Sequence, residues 1–242
     1  MSQKAPSRLR LLNNIVEALA GETDHAAGMA AVLRLVREHF GASRAFVMVI
    51  SGQSAAPYSS QESCAEGVLP ILPEALSLSN RAHWTALAER GSSFSLSVKT
   101  ADQADGLFLE DLGLSALLAA PLSAAGRTMG LLGLSDPAEH AEDTELIATI
   151  GFIVESAYQK HQAMAEQRAL GARYNALVEA LPSGIGILNI RHGRIQNAFV
   201  NEAYAAILGD TPSIAAANFR HGPLHYVYED DRNDFLQALQ PL

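Results

Sequence analysis

The spacing of apolar residues changes from a helical to a strand-like pattern within the first 50 residues. Apolar side chains recur every three to four positions over Arg8–Leu19 and again, after a cap at Thr23 or Asp24, up to Phe40. The segment Arg44–Ile50 is then almost continuously apolar, which is typical of a central strand covered on both faces. The chain is therefore expected to begin with two helices and a buried strand.

A less regular region follows. Ser51–Ser79 is rich in Ser, Gly, Pro and Ala, which predicts loops with an edge strand near Tyr58 and a short helix before Leu76. The next patterns predict a helix over Asn80–Arg90, a strand over Ser93–Val98 and one helical turn over Phe108–Leu112.

The clearest strand pair is a hairpin. Strands over Ser115–Leu122 and Thr128–Leu134 flank a tight turn at Ser123–Gly126. Because proline has no N–H to donate, Pro121 is expected near the end of its strand or on an edge.

The longest helical pattern runs over residues 143–181 without a proline. Small or apolar residues recur at alternating spacings of four and three, interrupted by the polar residues Lys160 and Gln167 at two positions, which keeps one seam towards a partner helix. At about 1.5 Å per residue the helix would be roughly 58 Å long, so it is expected to connect two modules and to form a homodimer seam. The seam residues are Leu146, Ile150, Ile153, Ala157, Met164, Gly171, Tyr174, Val178 and Leu181.

After Pro182 the pattern returns to short elements. These are strands over Ile185–Ile190 and Arg194–Val200, a helix from a cap at Asn201 to Leu208, a loop over Asp210–Ala217, and a last helix capped by Asp230 or Asp231.

Composition narrows the class of protein. Of the 242 residues, 48% are hydrophobic and 18% charged, as in ordinary globular proteins. The net charge of −9 argues against a nucleic-acid binder, which needs a basic face. No apolar run approaches the roughly 18 residues of a membrane span, and the single cysteine fits a reducing compartment. We expect a soluble, cytoplasmic protein without a nucleic-acid or membrane partner.

Over about Leu9–Glu155 the chain resembles a GAF domain. The helix pair, the apolar strand and the variable middle occur in that family's order. The hairpin LGLSALLAAPLSAAGRTMGLLGL (Leu112–Leu134) is similar to the family's apolar strand, Pro-Leu, glycine turn and Gly-x-Leu strand. The resemblance implies an antiparallel sheet with flanking helices.

Over about Tyr174–Leu239 the chain resembles the first part of a PAS domain. The segments that carry this resemblance are ALPSGIGILNI, RIQNAFVNEAYAAILG and YEDDRNDFLQAL. A PAS fold continues with three further antiparallel strands, so the chain is either a fragment of a longer protein, which we favour, or it has a degenerate PAS half. The predicted α+β organisation is a GAF-like domain (1–142), the connecting helix (143–181) and an incomplete PAS-like α/β module (182–242).

Candidate chemistry is limited. Phosphate-loop, nucleophile-elbow and zinc-protease motifs are absent from the sequence, so neither a catalytic nor a metal site is predicted. Some GAF families attach a bilin through cysteine, but Ala65 follows Cys64 where a histidine is usual. The cyclic-nucleotide pattern of GAF domains is incomplete, because Leu112 stands where its Asp would fall. His83, His221 and His225 are conceivable haem ligands without a diagnostic motif. The cofactor is therefore unknown.

The resemblance implies ligand pockets in both modules. In the GAF-like module the pocket lies over the sheet, and in both modules the aromatic candidates have a second interpretation as plain core residues. The candidates are Cys64, Trp84, Phe94 and Ser115 in the first module, and Phe199, Tyr204, Phe219 and Tyr226 in the second.

Three functions compete. The first is a sensory fragment of a bacterial-type signalling protein that binds a small molecule and relays it through a dimeric helix to an output such as a histidine kinase or a cyclic-di-GMP cyclase or phosphodiesterase. The second is a dimerisation scaffold without a ligand. The third is an enzyme like the free methionine sulfoxide reductases, but those use several cysteines and this chain has one.

Overall fold

The computed structural model describes residues 4–21, 24–49, 60–71, 78–124, 127–191, 194–222 and 224–238. The chain divides into two compact units, Met1–Ala163 and Met164–Leu242. The predicted edge strand near Tyr58 and the predicted helix before Leu76 lie outside the described residues. Among the helices described, none has the length and apolarity that a membrane crossing requires.

The first unit contains a five-stranded antiparallel sheet among its described residues, in the order β2-β1-β5-β4-β3. Its elements are α1 (Lys4–Gly21), α2 (His25–Phe40), β1 (Arg44–Val49), β2 (Gln61–Cys64), α3 (Leu78–Ala88), β3 (Phe94–Ser97), α4 (Gln103–Asp111), β4 (Ala116–Ala124), β5 (Arg127–Ser135) and the start of α5 (Thr144–Ala180). The predicted α+β fold with a long helix is confirmed.

Alternation along the central strands divides the core between the two faces of the sheet. Ala45 and Val47 point to one face, and Phe46 and Met48 point to the other. The Phe46 ring lies over Gly133 of β5, where an added Cβ would stand 2.4 Å from the ring. Only a glycine leaves room for that aromatic ring.

We call the first side the helix face. Helices α1, α2 and the beginning of α5 cover it, and its core is apolar. It includes Ile15, Val32, Leu33, Val36, Phe40, Leu118, Leu132, Leu134, Ile147, Ile150 and Val154.

We call the second side the tryptophan face. Helices α3 and α4 cover it, and its core combines the aromatic rings of Phe46, Trp84 and Phe108 with aliphatic side chains. It includes Phe46, Met48, Ile71, Trp84, Leu87, Phe108, Leu109, Leu112, Leu117 and Leu131.

Capping residues explain several helix boundaries. Asp24 accepts a hydrogen bond from the Ala26 N–H at the start of α2, and Gly41 ends α2 with a left-handed φ of +55°. Both boundaries agree with prediction. The predicted helical turn over Phe108–Leu112 is too short, because Asp102 caps a helix that already begins at Gln103.

Pro121 lies where its missing N–H is tolerated. The neighbouring strand β3 pairs with β4 only over Ala116–Ala119. Pro121 therefore lies in the part of β4 that extends past β3, as expected from its lack of a donor.

Helix α5 confirms the predicted long helix but changes the interpretation of its seam. Leu146 and Ile150 are buried in the core of the helix face, so these two seam positions are already occupied within the chain. Residues 162–177 are all exposed. Of the predicted seam, it is therefore this later part of α5 that remains accessible to a second chain.

The second unit contains a hairpin followed by short helices. Its elements are β6 (Gly186–Arg191), β7 (Arg194–Val200), α6 (Glu202–Leu208), α7 (Pro212–His221), a 3-10 turn (Glu229–Asp231) and α8 (Arg232–Ala238). The prediction of a loop over residues 210–217 is wrong. Thr211 caps α7 and Pro212 occupies its first turn, where proline is well tolerated.

Asn201 ties the second unit together. Its side chain is fully buried and accepts hydrogen bonds from the N–H groups of Ile185 and Tyr204. Its amide donates to the carbonyls of Val178 and Ser183. The predicted cap of α6 thus also fixes the end of α5 against the start of the hairpin.

Candidate ligand-binding site

Trp84 occupies the centre of the tryptophan face. Its side chain is 1% exposed, and its ring lies edge-on to Phe46 and Phe108 with centroid distances of 6.0 and 5.0 Å. Its indole Nε1–H is buried and has no acceptor among the described residues. A buried donor without an acceptor costs about 1–3 kcal/mol. Arg37 Nε and His39 Nε2 of α2 are also buried without an acceptor among the described residues, but the Trp84 donor lies within the core of its face between two aromatic rings, which makes the tryptophan face the candidate site.

A cluster of charged groups lies on the same side of the sheet. The buried carboxylate of Asp105 in α4 accepts from His83 Nε2 at 3.0 Å and from Arg90 Nη2 at 2.6 Å. The His83 ring stacks on Phe108 at a centroid distance of 3.9 Å. Both partners of Asp105 are partly exposed, so the cluster connects the core around Trp84 with solvent.

Of the residues predicted for this site, only Trp84 and Phe94 belong to the same core cluster. Phe94 begins β3, and the guanidinium of Arg90 lies 5.2 Å from the centre of its ring. Ser115 is exposed, and its backbone N–H donates to Asp136.

Cys64 is half-buried at the end of β2, on the edge strand furthest from β3. Burial, and then the nearby Glu62 carboxylate, raise the pKa of its thiol. A raised pKa disfavours the reactive thiolate, so the environment of Cys64 does not activate it as a nucleophile.

Sequence reasoning missed the partnership of Asp105 with His83 and Arg90. The sequence contained two local signals of this cluster. His83 and Arg90 are seven residues apart, which is about two helical turns. Asp105 lies three residues after the cap Asp102. The contact itself joins His83 of α3 to Asp105 of α4, which lies 22 positions later in the chain.

Two cavities lie away from Trp84. The helix face holds one of about 10 Å³, room for a single water molecule, near His25, Met29, Leu122, Val154 and Tyr158. The other is an open groove of about 400 Å³ beside the uncovered part of β4, near Pro121 and Phe152. No group of three or more metal-ligating side chains occurs within the described ranges.

In the second unit the structure brings three of the four predicted residues together. Ring centroids are 6.4 Å apart for Tyr204 and Phe219 and 5.1 Å apart for Phe219 and Tyr226. Phe199 lies half-buried between the buried residues Ala198 and Val200 on β7. These aromatic rings pack in and against the small core of this unit.

The Tyr226 hydroxyl is held by side chains of the same unit. It donates to Asp210 and accepts from Asn218 Nδ2 at 2.8 Å. Burial, and then the hydrogen bond to Asp210, raise the pKa of Tyr226. The hydroxyl therefore stays protonated at neutral pH and serves as a structural donor.

The GAF domain model matches residues 25–158, more than half of the chain. The chain belongs to the GAF domain family, and the resemblance seen over Leu9–Glu155 is confirmed. No curated protein is significantly similar to it.

Solved structures share the fold at low identity. A GAF domain with bound phycoerythrobilin from a cyanobacterial phytochrome is 17% identical, with a TM-score of 0.51 over 66% of this chain and 99% of that one. A far-red absorbing dark state with bound biliverdin IXa is 13% identical, with a TM-score of 0.50 over 63% and 99%. The Stigmatella aurantiaca phytochrome photosensory core module is 13% identical, with a TM-score of 0.52 over 73% and 41%. The chain spans less than two thirds of the Stigmatella chains that it matches.

Proposed function

We propose that this chain is the sensory part of a cytoplasmic signal-transduction protein and that its GAF domain binds a small molecule on the tryptophan face. The observation that carries this proposal is the buried indole N–H of Trp84, which has no acceptor among the described residues. A ligand oxygen or nitrogen placed there would remove the cost of that unsatisfied donor. The aromatic walls formed by Phe46 and Phe108 favour a flat, largely apolar ligand.

The ligand class has a second source of support. The carboxylate of Asp105 holds both His83 and Arg90, whose partly exposed side chains can donate to ligand carbonyl or carboxylate groups. Two proteins of the same fold are described with bound bilins. We therefore propose Trp84 and Phe94 as ligand contacts and biliverdin as the first compound to test. The environment of Cys64 gives no support for covalent attachment there.

We further propose that α5 carries the signal into a PAS-like module. The proposed domains are 1–142, 143–181 and 182–242, followed in the parent protein by an output such as a histidine kinase or a cyclic-di-GMP cyclase or phosphodiesterase. The order hairpin, capped helix, second helix and acidic-capped helix in the second unit supports the PAS-like interpretation. Asn201 would transmit a movement of α5, because it hydrogen-bonds both Val178 and the start of the hairpin.

A homodimer through α5 is part of the same proposal. Exposed apolar residues in the last turns of α5 and directly after it are Leu170, Tyr174, Leu177 and Leu181. Their spacings of four, three and four are those of a helical seam. This register replaces Val178 of the predicted seam, because Val178 is buried within its own chain.

A thermal-shift titration with biliverdin and with cyclic nucleotides tests ligand binding. We expect one of them to raise the melting temperature of the wild type and Trp84→Phe to reduce that shift. Each shift is measured from the variant's own melting temperature without ligand, because the smaller ring leaves a cavity that lowers stability while the loss of the unsatisfied donor offsets part of that cost. Phe40→Leu is the matched control: it alters a buried aromatic residue of the helix face and should lower stability while keeping the ligand shift.

The intrinsic fluorescence of Trp84 gives an independent readout, because it is the only tryptophan of the chain. Quenching or a spectral shift at the same ligand concentration would support binding at the tryptophan face. A thermal shift that Trp84→Phe leaves unchanged would reject this site.

The alternative function is a ligand-free dimerisation scaffold. The observation in its favour is that the Trp84 ring fills the space between Phe46 and Phe108, while both cavities described above lie elsewhere. A dimer in light scattering together with the absence of any stabilising compound would favour the scaffold.

A further inference from the structure

Each end of α2 carries a histidine that packs on a later histidine of the chain, either in α5 or in the loop that leads into it. At the start of α2, the rings of His25 and His161 are stacked with a centroid distance of 4.4 Å and an interplanar angle of 12°. At the other end, the rings of His39 and His140 are nearly parallel at 5.2 Å and 16°. These contacts span 136 and 101 positions of sequence, so they form only when α5 and the loop before it lie on α2.

The first pair lies in a setting that opposes positive charge. Burial, and then the proximity of His161, lower the pKa of His25, and only the Asp24 carboxylate acts in the opposite direction. His25 is also the first residue of α2, where the helix dipole disfavours a cation. The Tyr158 ring, 6.4 Å from His25, is the other titratable side chain packed against it.

The second pair is similarly placed. His39 Nε2 is buried without an acceptor among the described residues, so a proton added there gains no hydrogen bond. Burial, and then His140, lower the pKa of His39. The other charged groups facing it are Asp143 and Glu139, which raise the pKa, and Arg8 of α1, which lowers it. Arg8 also forms an ion pair with Asp143.

We propose that the two histidine pairs, His25–His161 and His39–His140, act as a proton-sensitive clasp that holds α5 and the loop before it on α2 when neutral and releases them when protonated. The pair His25–His161 lies where α5 leaves the core of the helix face, because Tyr158 is buried while residues 162–177 are exposed. Protonation would place like charges in stacked rings and drive them apart. The clasp acts on the helix face and requires no ligand at Trp84, so it goes beyond the proposed function.

The direction of the pH effect follows from the lowered pKa values. A group that binds protons more weakly in the closed state stabilises that state fully above its ordinary pKa, which is about 6.5 for histidine. As the pH falls from there towards the lowered pKa, the open state takes up protons first and the clasp weakens. The opening equilibrium should rise by up to about tenfold per pH unit for each group in that window.

Hydrogen exchange of the full chain at pH 7.5 and 5.5, corrected for intrinsic rates, tests this proposal. We expect amides in the segment 154–161 to open about tenfold more often at pH 5.5 in the wild type. The double variant His25→Phe with His161→Phe keeps an aromatic stack without titratable nitrogens, and it should lose most of this pH effect. His221→Phe, an exposed histidine of the second unit, should behave like the wild type.

The proposal is overturned if the wild type shows equal protection at both pH values, or if the double variant retains the full pH effect. NMR titration of the wild-type imidazoles is a second measurement that does not depend on the variant folding. Midpoints for His25 and His39 below 6.5 that coincide with shifts of α5 amides support the clasp. Midpoints at or above 6.5 refute it.

Discussion

The two faces of the GAF sheet are formed by the same strands but differ in the chemistry of their side chains. The helix face has a core of apolar side chains from three helices and the central strands, although α2 also holds buried nitrogens without an acceptor at Arg37 and His39. The tryptophan face combines Trp84, with its unsatisfied N–H, and a buried carboxylate that His83 and Arg90 share. Because strand residues alternate between faces, one sheet supports both environments.

The difference indicates a division of roles. The closely packed apolar layer of the helix face gives stability and a rigid support for α5. Buried polar groups cost free energy unless they are paired, so natural proteins retain them mainly where they have a use. The tryptophan face is therefore the side on which we expect recognition, and the helix face the side on which we expect transmission.

The largest expected effect concerns the helix face. Ile150→Ala, at a fully buried position of α5, should lower the free energy of unfolding by about 2–5 kcal/mol, because it removes buried carbons and leaves a cavity. Urea unfolding measures it. Phe152→Ala is the matched control: it lies two residues further along α5, is 69% exposed, and should change stability by less than about 0.5 kcal/mol. Equal losses in the two variants would contradict the assignment of the buried side of α5.

An intermediate effect is expected on the tryptophan face. Asp105→Asn leaves Arg90 and His83 without their shared carboxylate and should cost about 1–3 kcal/mol. The loss is limited because both cationic side chains are partly exposed and regain water. Chemical denaturation measures it against Asp111→Asn, which changes an exposed carboxylate at the end of the same helix. Identical stabilities for the two variants would show that the Asp105 cluster contributes nothing.

Much of the fold follows from local sequence signals. The boundaries of α2 come from Asp24 and Gly41, and those of α6 come from Asn201 and Gly209, because side-chain caps and left-handed glycines act within a few residues. Helix α7 was predictable too: Thr211-Pro212 is a cap followed by a first-turn proline, a signal outweighed by the polar, turn-like residues around it.

The environment of α5 and the details of the site did not follow from the sequence. A periodic stripe records which side of a helix is apolar, but it cannot record whether that side meets its own domain, as Leu146 does, or remains exposed, as Leu177 does. Likewise, Trp84 is recognisable as an aromatic candidate, but its missing acceptor and the neighbouring Asp105 cluster depend on contacts between helices. Such contacts are properties of the folded chain.

The smallest expected effect concerns Ser115, which directly precedes β4 and tests where the tryptophan face ends. Ser115 was predicted as a ligand contact, yet its side chain is exposed and the nearby hydrogen bond to Asp136 comes from its backbone N–H at 2.7 Å. Ser115→Ala keeps that bond, so it should change stability by less than about 0.5 kcal/mol and leave the ligand-induced thermal shift unaltered.

Phe94→Leu is the matched comparison for Ser115→Ala, because Phe94 packs on the Trp84 core and under Arg90. It should reduce the ligand-induced shift, since the smaller side chain loses both aromatic contact with a flat ligand and the cation–π contact that positions Arg90. The reverse result, with Ser115→Ala weakening the shift and Phe94→Leu preserving it, would move the site from the Trp84 core to the exposed end of the sheet. That outcome would remove the contrast between the two faces, because recognition would then lie on neither of their buried layers.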